Sequence, residues 1–325
     1  MKAIPDAVLL EQAQLLADDV LFPRALEADR GPGVPVEQLS ALAEAGMHGA
    51  SVSAEPETVT ALIETLASGC LTTAFVWAQH LGATAAAHFT ESPAHRFADD
   101  LASGTLRGGV AFAHMLRPDP PLTTAEPVDG GWRFNGSAPW VTGWGHIDLF
   151  HAAARHEGDI VWALLDATDS PTLRCIELDL AVVAATRTVV LEYDGHFVPD
   201  DRVTRVESHA EWLAVYRERL RNNGSFPLGV AARCCRLLER PEFDRRLDEV
   251  RAALDGASTE SMPAARADAA LFAVQASTAL VAATGGRAVT LNHHAQRLHR
   301  EAMFLLVQGQ TPQIRGHMLD RLAGN

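Results

Sequence analysis

The feature that most constrains this 325-residue chain is the order of its hydrophobic patterns, helical at both ends and strand-like in the middle. Apolar residues recur at helical spacing up to about residue 105 and again from about residue 208. Between these regions, short strand-like segments follow one another without intervening helices, which favours an antiparallel barrel or sandwich. The sequence therefore predicts an α+β, mostly α protein with an N-terminal helical domain (1–106), a middle antiparallel β-barrel or sandwich domain (107–206) and a C-terminal helical bundle (207–325).

Turn residues and apolar runs predict where individual elements lie. The dipeptide Asn135-Gly136 follows alternating residues and predicts a hairpin turn. Residues 211–238 predict one long helix. An Ala-rich helix is predicted from Met262 to Gly285, with proline near its start and glycine past its end. Strands are predicted at residues 148–155, 160–166 and 186–193.

Charge and cysteine content limit the classes of partner and compartment. The formal net charge of -14 argues against a nucleic-acid partner, because neutralising phosphates requires clustered Lys and Arg. The four cysteines show no metal-ligand spacing and are expected to be free thiols in a reducing cytoplasm. The acidic N-terminal stretch lacks a long apolar core, and no run of about 18 apolar residues occurs, so neither a signal peptide nor a membrane span is expected.

Several local segments, taken in order, resemble one family. Residues 134–142 read FNGSAPWVT and resemble the N-G-x-K-x-W-I-T segment of acyl-CoA dehydrogenases. Residues 189–199 resemble the end of that family's β domain. Residues 240–243 (RPEF) resemble its R-x-x-F-G motif, residues 283–286 (ATGG) its F-G-G turn, and residues 299–302 (HREA) its M-R-D-A motif. The resemblance runs over essentially the whole chain and implies the acyl-CoA dehydrogenase fold with FAD as cofactor.

The resemblance also implies roles for individual residues. In the family, the Trp that aligns with Trp140 packs against the isoalloxazine ring, and the Thr that aligns with Thr142 reaches the flavin N5 and O4 edge. The Arg aligned with Arg240, in a motif that also contains Phe243, contacts the FAD pyrophosphate of a neighbouring subunit. The turn aligned with Gly285 and Gly286 passes the adenylate across a dimer. A homodimer or homotetramer is therefore expected.

The chain departs from the family where the catalytic base is expected. The family's I-Y-E-G-T motif, whose Glu removes the substrate α-proton, aligns with residues 307–311, which read VQGQT. Gly309 stands at the Glu position and cannot accept a proton, while Thr311 keeps the motif's Thr and is retained as a cofactor contact. Some relatives carry the Glu on the first long C-terminal helix. That position aligns with Arg219, and the adjacent Glu218 should face elsewhere, since one residue turns a helix by about 100°.

Two further segments differ from the family. Residues 111–118 (AFAHMLRP) replace the loop T-E-P-x-A-G-S-D, which touches flavin and thioester. Phe112 and His114 fall where this loop meets the flavin, and His114 is either a general acid/base or a hydrogen-bonded structural histidine. The stretch from Arg240 to Gly285 is also shorter than in the family. Asp244 brings a negative charge near the proposed pyrophosphate site.

Other interpretations remain open for the same residues. Trp140 can be a core aromatic, Gly285 and Gly286 a helix cap, and Arg240 a solvated cation at a helix end. Trp144 can line either the acyl pocket or the core. His293, His294 and His299 form a superficial cluster without a carboxylate or Cys at ligand spacing, so no metal is expected.

Three functions fit these observations. The first is a FAD-dependent oxidoreductase acting on an acyl thioester or a related small substrate by hydride transfer to flavin N5, with the proton taken by a substrate group, His114 or another residue. The second is a flavin-dependent monooxygenase or a non-redox enzyme on the same fold. The third is a non-catalytic subunit that completes the FAD site of a related partner in a heteromer.

Overall fold

The computed structural model describes residues 4–218 and 220–324, with the backbone alone for residues 217 and 218. The N-terminal region is helical, as the sequence predicts. A π-helical segment follows the first helix to Leu21, and Pro23 then separates it from the next helix. The helices are α1 (Asp6–Leu15), α2 (Ala25–Arg30), α3 (Val36–Glu44), α4 (Ala50–Ser53), α5 (Pro56–Gly69), α6 (Leu71–His88) and α7 (Ala98–Ser103).

The middle of the chain forms one mixed sheet of eight strands. The strand order is β6-β7-β3-β2-β4-β5-β8, and β1 pairs with β4 outside this path. Most neighbouring strands are antiparallel, whereas β1 and β2 each pair with β4 in parallel. The strands are β1 (Gly108–Ala111), β2 (Thr123–Val128), β3 (Gly131–Val141), β4 (Leu149–His156), β5 (Asp159–Asp166), β6 (Leu173–Glu177), β7 (Val189–Pro199) and β8 (Val203–Ser208).

The hairpin turn predicted at Asn135-Gly136 is wrong. Both residues lie inside β3, and the turn between β2 and β3 falls at Asp129-Gly130 instead. Gly136 has a φ of 108°, and a Cβ there would stand 2.0 Å from the carbonyl oxygen of Leu122. The register with β7 shifts beside it. Gly136 therefore allows a β-bulge and a close approach of the Leu122 backbone, and it does not form a turn.

The C-terminal region is again helical. Its helices are α8 (His209–Glu218), α9 (Ser225–Leu238), α10 (Pro241–Asp255), α11 (Met262–Thr284), α12 (His294–Leu305) and α13 (Pro312–Ala323). The single helix predicted over residues 211–238 is wrong, because α8 and α9 are separate and a 3-10 turn at Asn222–Gly224 precedes α9. Two asparagines and a glycine favour such a turn over helix. Arg219 lies outside the described residues.

One hydrophobic core joins the two helical regions. Leu9 and Leu66, in the first part of the chain, belong to the same buried cluster as Leu228 and Leu298 in the last part. The helical stretch Met262–Val289, which contains α11, is long and apolar enough to cross a membrane by length and composition alone. In the fold it packs against α9, α10, α12 and α13, which is the position of a core helix.

Buried charges also link the chain ends. Arg297 and Glu301, one turn apart on α12, form an ion pair of 2.6 Å, and each side chain is only 1% exposed. Arg300 on the same helix pairs with Asp29, which lies on α2 and is nearly buried. Arg233 on α9 pairs with Asp18. Buried charged groups need partners, so the Arg300–Asp29 and Arg233–Asp18 pairs help to position the two helical regions against each other, whereas the Arg297–Glu301 pair lies within α12.

The four cysteines are free thiols. Cys70, Cys234 and Cys235 are buried, whereas Cys175 on β6 is half-buried. Burial raises the pKa of all four thiols, which keeps them protonated and unreactive at neutral pH.

Candidate functional site

The end of β3 presents a tryptophan in an unusual conformation. Trp140 has a φ of 64°, and its side chain is 53% exposed, while Val141 and Thr142 beside it are buried. The register between β3 and β7 shifts between Ala138 and Val141, and this irregularity turns the indole outward. A positive φ is strained for a residue with a Cβ and is concentrated at functional positions. The structure therefore places Trp140 on the surface of the β domain, not in its core.

Thr142 is held from behind by two more threonines. Its hydroxyl lies 2.9 Å from the hydroxyl of Thr188, which lies 2.9 Å from that of Thr186. All three side chains are buried. This hydroxyl chain fixes the backbone directly after Trp140. Trp144, two residues further on, packs with Phe150 in the β-domain core rather than at a pocket.

The loop after β1 contacts β3 and carries Phe112 and His114. Phe112 packs on Trp162, Trp212 and Tyr216 with ring centroids about 6 Å apart. This half-buried ring therefore joins β5 to α8.

His114 is buried and has one hydrogen-bond partner. Its Nε2 lies 3.0 Å from the carbonyl oxygen of Ala153, so Nε2 carries the proton and donates. Its Nδ1 is buried without a partner. Burial lowers the pKa of His114 to about 4, which keeps the ring neutral at pH 7 and makes it a weak base. We call Phe112, His114, Trp140 and Thr142 together the β wall.

Gly309 lies in the loop between α12 and α13, opposite two polar side chains. Its φ is 56°, and an ideal Cβ there would stand 2.9 Å from Asn223 Nδ2 and 3.5 Å from Arg266 Nη2. The neighbouring Gln308 donates from Nε2 to Asn223 Oδ1 at 3.2 Å. A side chain at position 309 would thus point at an amide and a guanidinium.

Arg266 stands one turn into α11 and is only 4% exposed. Its Nη1 donates to the carbonyl oxygen of Leu220 at 2.9 Å, and its Nη2 donates to that of Gln308 at 3.4 Å. Its Nε is buried without a partner. Among the side chains of residues 4–216 and 220–324 it forms no ion pair with a carboxylate, and burial lowers its pKa to about 10, so it stays cationic at pH 7. We call Arg266, Gly309, Gln308 and Asn223 the C-terminal wall.

The two walls are connected through Tyr216 on α8. Its ring packs on Phe112 of the β wall, and its phenol lies close enough to Arg266 for an electrostatic interaction. Burial raises the pKa of Tyr216. The structure therefore brings Phe112 and Gly309 to one region, through Tyr216 and Arg266. Neither Tyr216 nor Arg266 was singled out from the sequence. A lone arginine in an Ala-rich apolar helix and the break at Asn222-Asn223-Gly224 were the visible signals.

The remaining predicted cofactor contacts lie at helix ends. Arg240 precedes α10, is 67% exposed and stands 3.6 Å from Glu242, while Phe243 is half-buried against the main core. Gly285 has φ 70° and ψ -153°, a conformation open to glycine only, at the end of α11. A Cβ at Gly286 would meet no atom within 4 Å. Thr311 accepts a hydrogen bond from the backbone N–H of Ile314 and caps α13.

The three histidines near α12 have separate partners. His293 accepts from the N–H of Ala295 as a helix cap. His294 stacks on Phe22 at 4.2 Å, and His299 lies 3.2 Å from the Ser277 hydroxyl. In the described part of the chain, no group of three His, Cys, Asp or Glu side chains is arranged to hold a metal ion.

Helical regions before and after a mostly antiparallel sheet, with an exposed aromatic at the end of one of its strands, define a three-part α+β protein. No family model matches the sequence, and no curated protein matches it. Solved structures do match over 98% of this chain. Butyryl-CoA dehydrogenase from Megasphaera elsdenii has a TM-score of 0.80 at 16% identity, with 98% of that chain covered. Glutaryl-CoA dehydrogenase from Mycobacterium smegmatis in complex with FADH2 has 0.81 at 15%, with 95% covered. The FAD complex of PigA has 0.79 at 18%, with 97% covered. The fold of this chain is that of the acyl-CoA dehydrogenase family, as the sequence predicts.

Proposed function

We propose that this chain is a FAD-dependent oxidoreductase that acts on an acyl thioester or a related small substrate. Bound FAD supplies a hydride acceptor at flavin N5. The observation that carries the proposal is Trp140, a half-exposed indole held at a positive φ at the end of β3. An exposed aromatic plane in a strained but well-supported backbone is suited to packing against a planar ring system.

Similarity to solved flavoproteins supports the cofactor. Structures that match this chain along nearly their whole length are described as complexes with FAD or FADH2. The residues present fit such a group at the β wall, where the Thr142–Thr188–Thr186 hydroxyl chain holds the backbone beside Trp140. Gly285, exposed and in a glycine-only conformation, leaves room for a ligand at the end of α11.

The side chains around position 309 and His114 offer no strong base for the substrate proton. Gly309 has no side chain, and the groups facing it are an amide and a guanidinium, which donate rather than accept at neutral pH. His114 offers an unpartnered Nδ1, but its pKa of about 4 makes it a poor base. We propose that a group of the substrate, or solvent, takes this proton.

The absorbance spectrum of the purified protein, with and without added FAD, tests the proposal. The wild type should bind FAD, and Trp140→Ala should weaken binding by about ten- to a hundredfold if the indole stacks on the flavin. Phe197→Ala is the matched control, because Phe197 is a comparably exposed aromatic on β7. The flavin should bleach anaerobically with one member of a panel of acyl thioesters. Full oxidation after the whole panel would argue against dehydrogenation.

A monooxygenase is the second candidate, and the glycine at position 309 favours it. An enzyme that uses reduced flavin with oxygen does not need the carboxylate that a dehydrogenase uses to remove an α-proton. Oxygen consumption driven by a separate flavin reductase, without bleaching by thioesters, would support this alternative. Copurification with a longer, Glu-bearing relative would instead support a non-catalytic subunit.

We also propose a homo-oligomer in the cytoplasm. Val289, Leu291, Leu319 and Leu322 are large apolar residues of the C-terminal region that are each about 60% exposed or more, which supports a surface covered by another subunit. The free thiols support a reducing compartment. Light scattering of the purified protein and fractionation of the producing cells test these two points.

A further inference from the structure

The C-terminal wall contains a buried cation without a counter-charge among the side chains of residues 4–216 and 220–324. Arg266 is 4% exposed, and its two hydrogen bonds go to neutral carbonyl oxygens of Leu220 and Gln308. Burying an unpaired guanidinium is costly, and proteins usually offset that cost with a carboxylate. The carbonyls follow the ends of α8 and α12, so helix dipoles supply only part of the compensation.

The groups around Arg266 form a set of donors. Nε has no partner, and Nη1 and Nη2 each keep one further N–H. Asn223 uses its Oδ1 to accept from Gln308, which leaves its Nδ2 directed at Gly309. The phenol of Tyr216 lies nearby. Such a set binds anions, and the planar fork of an arginine matches a carboxylate.

Gly309 leaves this position without a side chain, but an ideal Cβ would already stand 2.9 Å from Asn223 Nδ2, so an anion is admitted only when the Asn223 amide moves aside. Any side chain there would meet Asn223 and Arg266, so the missing Cβ leaves the guanidinium facing the site instead of an internal group. Asn223 is half-exposed, so a ligand reaches Arg266 by displacing one amide.

We infer that Arg266 binds a free carboxylate group of the substrate, so that the substrate supplies the negative charge that the chain lacks at position 309. This inference rests on the proposed function and narrows its substrate class to acids, such as an acyl group that carries a second carboxylate. The carboxylate would sit between Arg266 and Asn223, with the phenol of Tyr216 nearby.

Calorimetric titration with butyrate, butyramide and inorganic phosphate tests the inference on the full chain, with and without FAD. Butyrate should bind about ten- to a hundredfold more tightly than its neutral isostere butyramide. Arg266→Gln should abolish this difference, whereas Arg246→Gln, an exposed arginine on α10, should keep it. Equal binding of butyrate and butyramide, a difference that survives Arg266→Gln, or tighter binding of phosphate would overturn the inference.

A pair of variants at position 309 gives a second readout that does not depend on ligand access. Asp and Asn both tolerate a positive φ and have the same shape, but only Asp brings a charge. Gly309→Asp should melt about 2–4 °C above Gly309→Asn, because its carboxylate pairs with Arg266. Equal melting temperatures would contradict the role of Arg266 as an anion site.

Two controls separate this inference from its alternatives. Glu218→Gln should leave butyrate binding unchanged; tighter binding in this variant would mean that Glu218 already occupies Arg266, and the inference would be wrong. FAD binding is followed independently by its absorbance. Butyrate binding without FAD retention would leave the inference standing and the flavoenzyme proposal refuted.

Discussion

The β wall and the C-terminal wall belong to the same fold but differ in how closely their residue types follow the family resemblance. The β wall retains the Trp and Thr at the positions the family resemblance assigns, with a buried hydroxyl chain behind them. The C-terminal wall retains its loop position but presents Gly309 and the buried cation Arg266 where a carboxylate is expected. A backbone match over 98% of the chain therefore shows the same scaffold, while the sequence resemblance implies that the charge of the site differs.

The largest expected effect tests how firmly α12 is held, because this helix precedes the loop that carries Gln308 and Gly309 of the C-terminal wall. Glu301→Gln removes one partner of the buried pair on α12 and strands Arg297, so the free energy of unfolding should fall by about 3–5 kcal/mol. Urea denaturation measures this loss. The exposed pair Arg246–Glu249 is the control, and Glu249→Gln should cause no measurable loss. A similar outcome for both variants would mean that α12 is loosely held.

The next effect concerns the glycine itself. Gly309→Ala places a Cβ at a positive φ and close to Asn223, so it should destabilise the protein by about 1–2 kcal/mol. Gly316→Ala is the matched control on α13, where a Cβ meets no atom within 4 Å and alanine favours the helix. The two variants should shift the melting temperature in opposite directions. A neutral Gly309→Ala would show that another loop conformation is accessible.

The third effect distinguishes the walls by pH. His114 of the β wall has its pKa lowered to about 4 by burial, against about 6.5 in the unfolded chain. The folded state therefore binds fewer protons between these values, and stability present above pH 6.5 is lost as the pH falls toward 4. His114→Gln should remove about 1.4 kcal/mol of the stability difference between pH 7.5 and 5.5. An unchanged difference in denaturation midpoints would mean that His114 is not buried neutral.

The smallest effect measures strain at Trp140. Glycine adopts a positive φ freely, so Trp140→Gly should be more stable than Trp140→Ala by about 1 kcal/mol. At Phe197, an exposed aromatic on β7 without a positive φ, the same pair should rank the other way, since glycine weakens a strand. Thermal denaturation of the four variants decides this. If the Gly and Ala variants had the same order of stability at both positions, the backbone at Trp140 would not be strained.

The sequence was sufficient for the order of helices and strands because periodicity and turn residues are local signals. It was misleading at Asn135-Gly136. There the glycine is required by the close approach of the Leu122 carbonyl oxygen, which no local pattern reveals. It was also misleading at the break before α9, where Asn222 and Asn223 prevail over a continuous apolar pattern. At the site, residue types located Trp140 and Gly309. Arg266 and Tyr216 are remote in sequence from both, and only the fold brings Arg266 beside Gly309 and Tyr216 beside Phe112.

The core shared between the first and last helices has a consequence for how the chain is made. Leu9, Leu62 and Leu66 are buried together with Leu228 and Leu298, and Asp18 and Asp29 find their partners on α9 and α12. The N-terminal helices emerge from the ribosome long before these partners. At about 5–20 residues per second, they wait roughly ten seconds or more with an apolar face uncovered. The newborn N-terminal region is therefore expected to be a chaperone client, and a ribosome-stalled fragment ending before α9 should be cleaved by protease far faster than the full chain.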